Sequence, residues 1–207
     1  VYKRQGRGYA LTPKVLMLAG GFLQARQIGT RVQPALDRHA AALGSAITLA
    51  VRQDDQVLLI AQSTLQDSPV SFGFTMGSVL PLLHTALGRV LLGSAPALIP
   101  VAPMAAHTDQ SLMDPTAIAD QVTQAASQGY AVVDGEFERG IIGFAAPVGL
   151  QAAVGASAPR GLAGAPEVQD RFIRALQMCG SELAQSGGVL GSNASRSSPK
   201  GTWIAHP

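Results

Sequence analysis

Apolar positions along the chain change period several times, and each change marks an element. Thr12-Pro13 suits the N-cap and first turn of a helix. Val15, Leu18, Ala19, Phe22 and Leu23 then recur at near-helical spacing. Gly20-Gly21 weakens that helix by about 1 kcal/mol per glycine relative to alanine. A second helix is predicted from about Val32 to Leu43, with Pro34 in its first turn and Gly44 placed for a left-handed cap. The pattern then becomes strand-like. Ala46 to Val51 and Val57 to Ala61 are apolar runs separated by the polar, turn-prone stretch Gln53 to Gln56. Val70 to Phe74 reads as a third strand.

Leu82 to Leu92 reads as a helix ending near Gly93, and residues 94–113 are proline-rich and irregular. Asp114-Pro115 repeats the cap-plus-proline opening. Ile118, Val122 and Ala125-Ala126 form an apolar stripe, and Gly129 closes the helix. Strands are predicted at Tyr130 to Val133, Ile141 to Val148 and about Leu150 to Ser157. A last helix is predicted over Pro166 to Gln185, with Val168, Phe172, Leu176, Cys179 and Leu183 on one face. Strands grouped in meanders, with helices between the groups, predict an α+β fold on a mostly antiparallel sheet.

Composition narrows the classes. The chain has 207 residues, 47% hydrophobic and 14% charged, enough for a sizeable core. The 5% aromatic share leaves packing to Ala, Leu, Val and Gly. A single cysteine excludes an internal disulfide framework and a thiolate-rich zinc site, and fits a reducing, cytoplasmic setting. The net charge of +2 is too small for a dedicated nucleic-acid surface. The uncharged stretches Val90 to Ala106 and Gly140 to Pro159 are broken by proline and glycine, so neither reads as a membrane span. No export signal is read at the N-terminus.

Catalytic and cofactor signatures are missing. There is no phosphate loop, no GxGxxG after a strand and no GxSxG elbow. The histidines His39, His84, His107 and His206 form no HxxxH pair, so no metal site and no cofactor are expected. Asp134, Glu136 and Glu138 share a face if extended, which suits paired carboxylates; a solvated turn is the reading preferred here. Cys179 reads as a packed core thiol rather than a nucleophile. A core without a reactive constellation points to a sensor or binding module, not an enzyme.

Three segments carry a resemblance. They are Gly6 to Leu16, Met76 to Leu92, and Gly129 to Asp134 followed by Glu136, Gly140 and Ala145-Ala146-Pro147-Val148. In this order and spacing they resemble the IclR family of bacterial transcriptional regulators, over roughly residues 7–186. The first two segments are similar to its branch controlling aromatic-acid (β-ketoadipate pathway) catabolism. The resemblance implies a residual wing over residues 1–11, a linker helix over 12–29, a GAF-like effector-binding domain over 30–186 and a mobile tail over 187–207. It implies a curved antiparallel sheet flanked by helices. The family's helix-turn-helix is not seen, so operator DNA would be read only through an element missing from this chain. Lys3, Arg4 and Arg7 would give weak, salt-sensitive phosphate contact. A homodimer or dimer of dimers would pair through Leu16, Ala19 and Phe22.

The resemblance also implies a pocket for a small carboxylate, such as a hydroxybenzoate or protocatechuate. Ala86 and Leu87 match positions whose backbone meets the ligand. Ile141 and Gly143 match wall positions, and Gly155 and Ser157 a small-residue pair. Backbone N–H groups at a helix start suit a carboxylate, and a ring would lie against Leu80, Leu87 and Ile141. His84 or Arg89 would balance the charge. For Leu80, Leu87 and Ile141 ordinary core packing is the alternative, for Ser157 a backbone-bonded strand hydroxyl, and for Arg89 a solvent-facing or structurally paired cation. Val133 stands where the family usually has an acid, which here moves to Asp134. The hairpin after Val148 is shorter than usual, and the helix after Leu92 gives way to a proline-broken stretch. A freestanding GAF-like sensor acting through protein partners is the competing reading.

Overall fold

The computed structural model describes residues 2–5, 8–64, 74–95, 99 and 105–185. Strands β1 (Tyr2–Gln5) and β2 (Gly8–Leu11) form an antiparallel ribbon in which Tyr2 pairs with Leu11. Helix α1 (Val15–Ala25) follows, with Lys14 rather than Thr12 at its N-cap. The Thr12 carbonyl instead accepts from Val15 N–H in a turn at 3.0 Å. No residue of α1 is buried, and Leu16, Met17, Leu18 and Phe22 are exposed. Gln27, at φ 53°, breaks the helix, and a turn of π-helix (Ile28–Val32) leads into α2 (Gln33–Leu43). Gly44 ends α2 in the left-handed conformation, φ 73°, with its N–H donating to the Ala40 carbonyl. That cap is the one the sequence predicts.

The central sheet has six strands in the order β5-β4-β3-β8-β7-β6, every neighbour antiparallel, curled into a half-barrel. These are β3 (Thr48–Gln53), β4 (Gln56–Gln62), β5 (Val79–Pro81), β6 (Ala131–Asp134), β7 (Ile141–Val148) and β8 (Ala152–Pro159). The helices α3 (Ala86–Gly93), α4 (Pro115–Gln128), α5 (Arg160–Ala163) and α6 (Pro166–Gln185) complete the fold. The expected strand at Val70 to Phe74 lies outside the described residues except for Phe74, which is not in a strand. The sheet edge is instead the short β5. The tail over 187–207 also lies outside them.

Two cores sit on opposite faces of the sheet. On one face, α2 and α6 cover Leu49, Val51, Ile142, Phe144, Ala146, Val154 and Ala156. Phe144 stacks on Phe172 of α6 at 4.8 Å between centroids. Helix α6 lies so close to β7 that a Cβ on Gly180 would stand 2.4 Å from the Pro147 carbonyl oxygen. On the other face, α3 and α4 cover Ala50, Leu59, Leu80, Val133, Ala145 and Ala153. Period two sends Ile142, Phe144 and Val148 of β7 and Val154 of β8 to the α6 core, and leaves Gly143, Ala145, Gly155 and Ser157 on the α3 face.

Helix α3 begins later than the periodicity of Leu82 to Leu92 predicts. Thr85 is extended (φ −127°, ψ 149°) and caps the helix, its hydroxyl accepting from Gly88 N–H at 3.1 Å and donating to the Pro81 carbonyl at 2.8 Å. Leu82, Leu83 and His84 therefore form a bend, and Gly88 is required there. A Cβ on it would meet the Leu82 carbonyl oxygen at 1.7 Å.

Candidate functional site

Small residues on the α3 face of β7 and β8 leave space beneath the helix. Gly143 pairs with Ser157 and Ala145 with Gly155 across the two strands. The space is a cavity of about 130 Å³. An apolar cavity on the order of 150 Å³ is enough for one benzene ring. Leu80, His84, Ala86, Leu87, Ile141, Gly143, Gly155 and Ser157, from four separate elements and the bend before α3, all line it. Phe74, Val133, Glu136, Phe137, Thr48 and Leu59 complete much of the wall. Gly155 is needed for the approach of α3: a Cβ there would stand 2.8 Å from Leu87 Cδ2 and 3.1 Å from the Phe144 carbonyl oxygen.

Polar groups converge on this apolar space. The first N–H groups of α3, at Ala86 and Leu87, have no partner among the described residues, whereas those of Gly88 and Arg89 are taken by Thr85. Two free donors at a helix N-terminus favour an anion through their own partial charges and the helix dipole. Ser157 is half-buried and its hydroxyl makes no hydrogen bond within the described residues, so the backbone-bonded alternative is not realised. It is a third donor at the cavity wall.

Behind the cavity lies a buried ionic cluster. Arg89 Nη2 is 2.9 Å from Glu136 Oε2, Arg89 Nε donates to the Leu83 carbonyl at 2.6 Å, and Arg89 Nη1 donates to Gln121. Leu112 N–H donates to Glu136 Oε2 at 3.1 Å. Ser111 holds the Glu136 carbonyl oxygen at 2.6 Å. His84 Nδ1 lies 3.4 Å from Glu136 Oε2. Burial pulls the Arg89 pKa below its ordinary value, opposed by Glu136. Burial likewise pulls His84 down, again opposed by Glu136. His84 is therefore neutral at pH 7.

This cluster corrects two expectations. Asp134 and Glu138 are exposed as a solvated turn requires, Asp134 pairing with Arg160 at 2.8 Å, but Glu136 is buried. Arg89 is the structural ion pair, not a solvent-facing cation. It does not line the cavity and cannot offset a ligand's charge, because its donors already serve Glu136, Leu83 and Gln121.

The family model for the bacterial transcriptional regulator IclR C-terminal region matches residues 21–184. The chain belongs to the IclR family. Among its relatives, the Pca regulon regulatory protein of Pseudomonas putida is 31% identical over 188 residues, covering 86% of this chain and 65% of that protein. The regulator BhcR of Paracoccus denitrificans is 26% identical over 149 residues, covering 70% of this chain and 53% of that protein. The chain thus spans about half to two thirds of these relatives' length. An IclR regulator from Alicyclobacillus acidocaldarius superposes with a TM-score of 0.74 at 22% identity, over 90% of this chain and 78% of that one. The PobR inducer-binding domain from Acinetobacter, solved as a double mutant with 3-hydroxybenzoic acid, superposes with a TM-score of 0.66 at 24% identity. That match covers 84% of this chain and 98% of that one.

The IclR resemblance, rather than periodicity, is what located the cavity residues in the sequence. Other wall residues, among them Thr48, Leu59, Phe74, Glu136 and Phe137, are not marked as a site by the sequence. Glu136 carries a polar signal that its exposed neighbours mask. Phe137 lies in the same turn, its ring packed against His107 at 5.3 Å and Phe74 at 6.1 Å between centroids. Among the described residues no helix is long and apolar enough to cross a membrane.

Proposed function

We propose that this chain is the effector-binding and oligomerisation part of a cytoplasmic IclR-type regulator, and that its effector is a small aromatic carboxylate. The observation that carries this reading is the pair of N–H groups of Ala86 and Leu87, unpartnered among the described residues and opening onto a ring-sized cavity walled by Leu80, Leu87 and Ile141. The carboxylate sits at the start of α3, the ring lies over Gly143 and Gly155, and Ser157 supplies one more hydrogen bond. A sensing rather than catalytic role is supported by membership of a family of transcriptional regulators. The names of two relatives, the Pca regulon regulator and the 3-hydroxybenzoate-bound PobR domain, favour an aromatic acid.

The exposed Leu16, Ala19 and Phe22 of α1 are the pairing surface. Residues 12–29 act as the linker and 30–186 as the sensing domain, and the helix-turn-helix that reads DNA belongs outside this chain. Ligand acts by binding one arrangement of the paired subunits more tightly than another. Calorimetric titration with hydroxybenzoates, protocatechuate and short oxo-acids tests the reading. Saturable one-to-one binding of a ring acid supports it, and no saturable heat from any of the panel refutes it.

A further inference from the structure

We propose that His84 selects the effector's ring substituent: its Nε2 is a hydrogen-bond acceptor aimed at the cavity, and the ligand it selects carries a ring-bound hydroxyl. This rests on the reading of the cavity as an aromatic-acid site and adds the group that distinguishes one ring acid from another.

Glu136 sets the tautomer of the His84 imidazole. Its carboxylate is held by Arg89 Nη2 at 2.9 Å and 3.2 Å and by Leu112 N–H at 3.1 Å. An ionised carboxylate only accepts, so the imidazole edge facing it, Nδ1 at 3.4 Å, carries the proton. A neutral imidazole has one N–H, which leaves Nε2 with a lone pair. The ring is 3% exposed, and burial holds it neutral despite Glu136.

Nε2 has no partner among the described residues. Nor is it sealed in the interior, because the one fully enclosed, unpaired side-chain nitrogen or oxygen among them is Arg52 Nη1. It therefore opens onto accessible space, and the space that His84 borders is the cavity. His107 meets the His84 ring edge-on at 5.3 Å and Phe137 closes on His107, so the imidazole is clamped in one orientation. The cavity thus offers donors at Ala86, Leu87 and Ser157 and a fixed acceptor at His84. That division of labour matches a ligand with an anionic end and a hydrogen-bond donor on the ring.

Matched pairs of ring acids test this, each a hydroxybenzoate and the fluorobenzoate with fluorine at the same position. The probes are nearly the same size and differ in the donor. The hydroxy acid is expected to bind about tenfold or more tightly in at least one pair. In His84→Phe that ratio falls toward one, and in His84→Gln, which keeps an acceptor oxygen, a preference of several-fold returns. Histidine-selective 15N NMR reads the same group without substitution: Nε2 of His84 shows the unprotonated shift and moves upfield on adding the hydroxy acid but not the fluoro acid. Equal affinity within every pair, or an Nε2 resonance that is protonated or unmoved, overturns the inference and leaves the aromatic-acid reading standing. Failure of every ring acid to bind overturns both.

Discussion

Arg89 and Glu136, 47 positions apart in the chain, meet inside the protein with their guanidinium and carboxylate 2.9 Å apart. The pair joins α3 to the turn between β6 and β7, the two segments that carry His84 and Phe137 to the cavity. Such a pair adds little net stability over an apolar replacement, but losing one partner strands a buried charge. Arg89→Ala is expected to lower unfolding free energy by about 3–5 kcal/mol. The double variant Arg89→Met with Glu136→Leu is expected to lose less than either single removal. Urea denaturation of Arg89→Ala, Glu136→Leu and the double variant beside the unsubstituted protein checks both statements.

Gly155 and Gly143 line the same cavity with different tolerances. A Cβ on Gly155 meets Leu87 side-chain atoms at 2.8 and 2.9 Å, whereas one on Gly143 meets Ala86 Cβ at an ordinary 3.7 Å. Gly155→Ala is expected to cost about 1–3 kcal/mol by overpacking and to weaken ring-acid binding as Leu87 shifts into the space. Gly143→Ala is expected to fold with near wild-type stability. Thermal melts paired with calorimetry separate the two.

The acid side of the stability profile follows from His84 and Glu182. Burial lowers the folded pKa of His84 below its ordinary 6.5. Between those two values the unfolded chain binds more protons, so stability rises with pH there and falls as pH drops below about 6.5, by at most about 1.4 kcal/mol per pH unit. Hydrogen bonds from Arg38 and His39 hold Glu182 below the usual carboxylate value of 4.5. Its contribution is present above that value and lost as pH falls through the folded one; at this exposed position it amounts to less than about 1 kcal/mol. Urea midpoints should rise as pH increases toward about 6.5 and level off above it, and His84→Phe should flatten the rise.

Cys179 is fully buried on α6, and burial pushes its thiol pKa up to about 12. The thiolate is the reacting species. Labelling by a disulfide reagent at pH 7.5 should be negligible in the folded protein and complete after unfolding. Fast labelling of native protein would contradict the packing of α6 on β7.

Local chemistry made much of the fold legible. Gly44 and Gly129 end α2 and α4 at φ 73° and 74°, and Asp114 caps α4 through Thr116 N–H at 3.0 Å, each where a cap-and-breaker reading puts it. Strand β7 and helix α6 match their expected spans because their patterns are long. The start of α3 was not legible, since the apolar run of Leu82 to Leu92 continues through a bend that Thr85 imposes. Glu136 was not legible either. Nothing near it in sequence announces an arginine 47 positions earlier, and burial of a carboxylate is decided by that partner. The cavity lining came from family likeness; alternation alone identifies Gly143 and Gly155 as small but not as facing α3.

In the proposed complex, α3 holds a carboxylate by its first two backbone amides, those of Ala86 and Leu87. Amide NMR during titration with a hydroxybenzoate tests it most directly. Hydrogen bonding to a carboxylate should move the Ala86 and Leu87 N–H resonances saturably downfield, with shifts among the largest in the spectrum. Saturable binding with those two amides unmoved would contradict it.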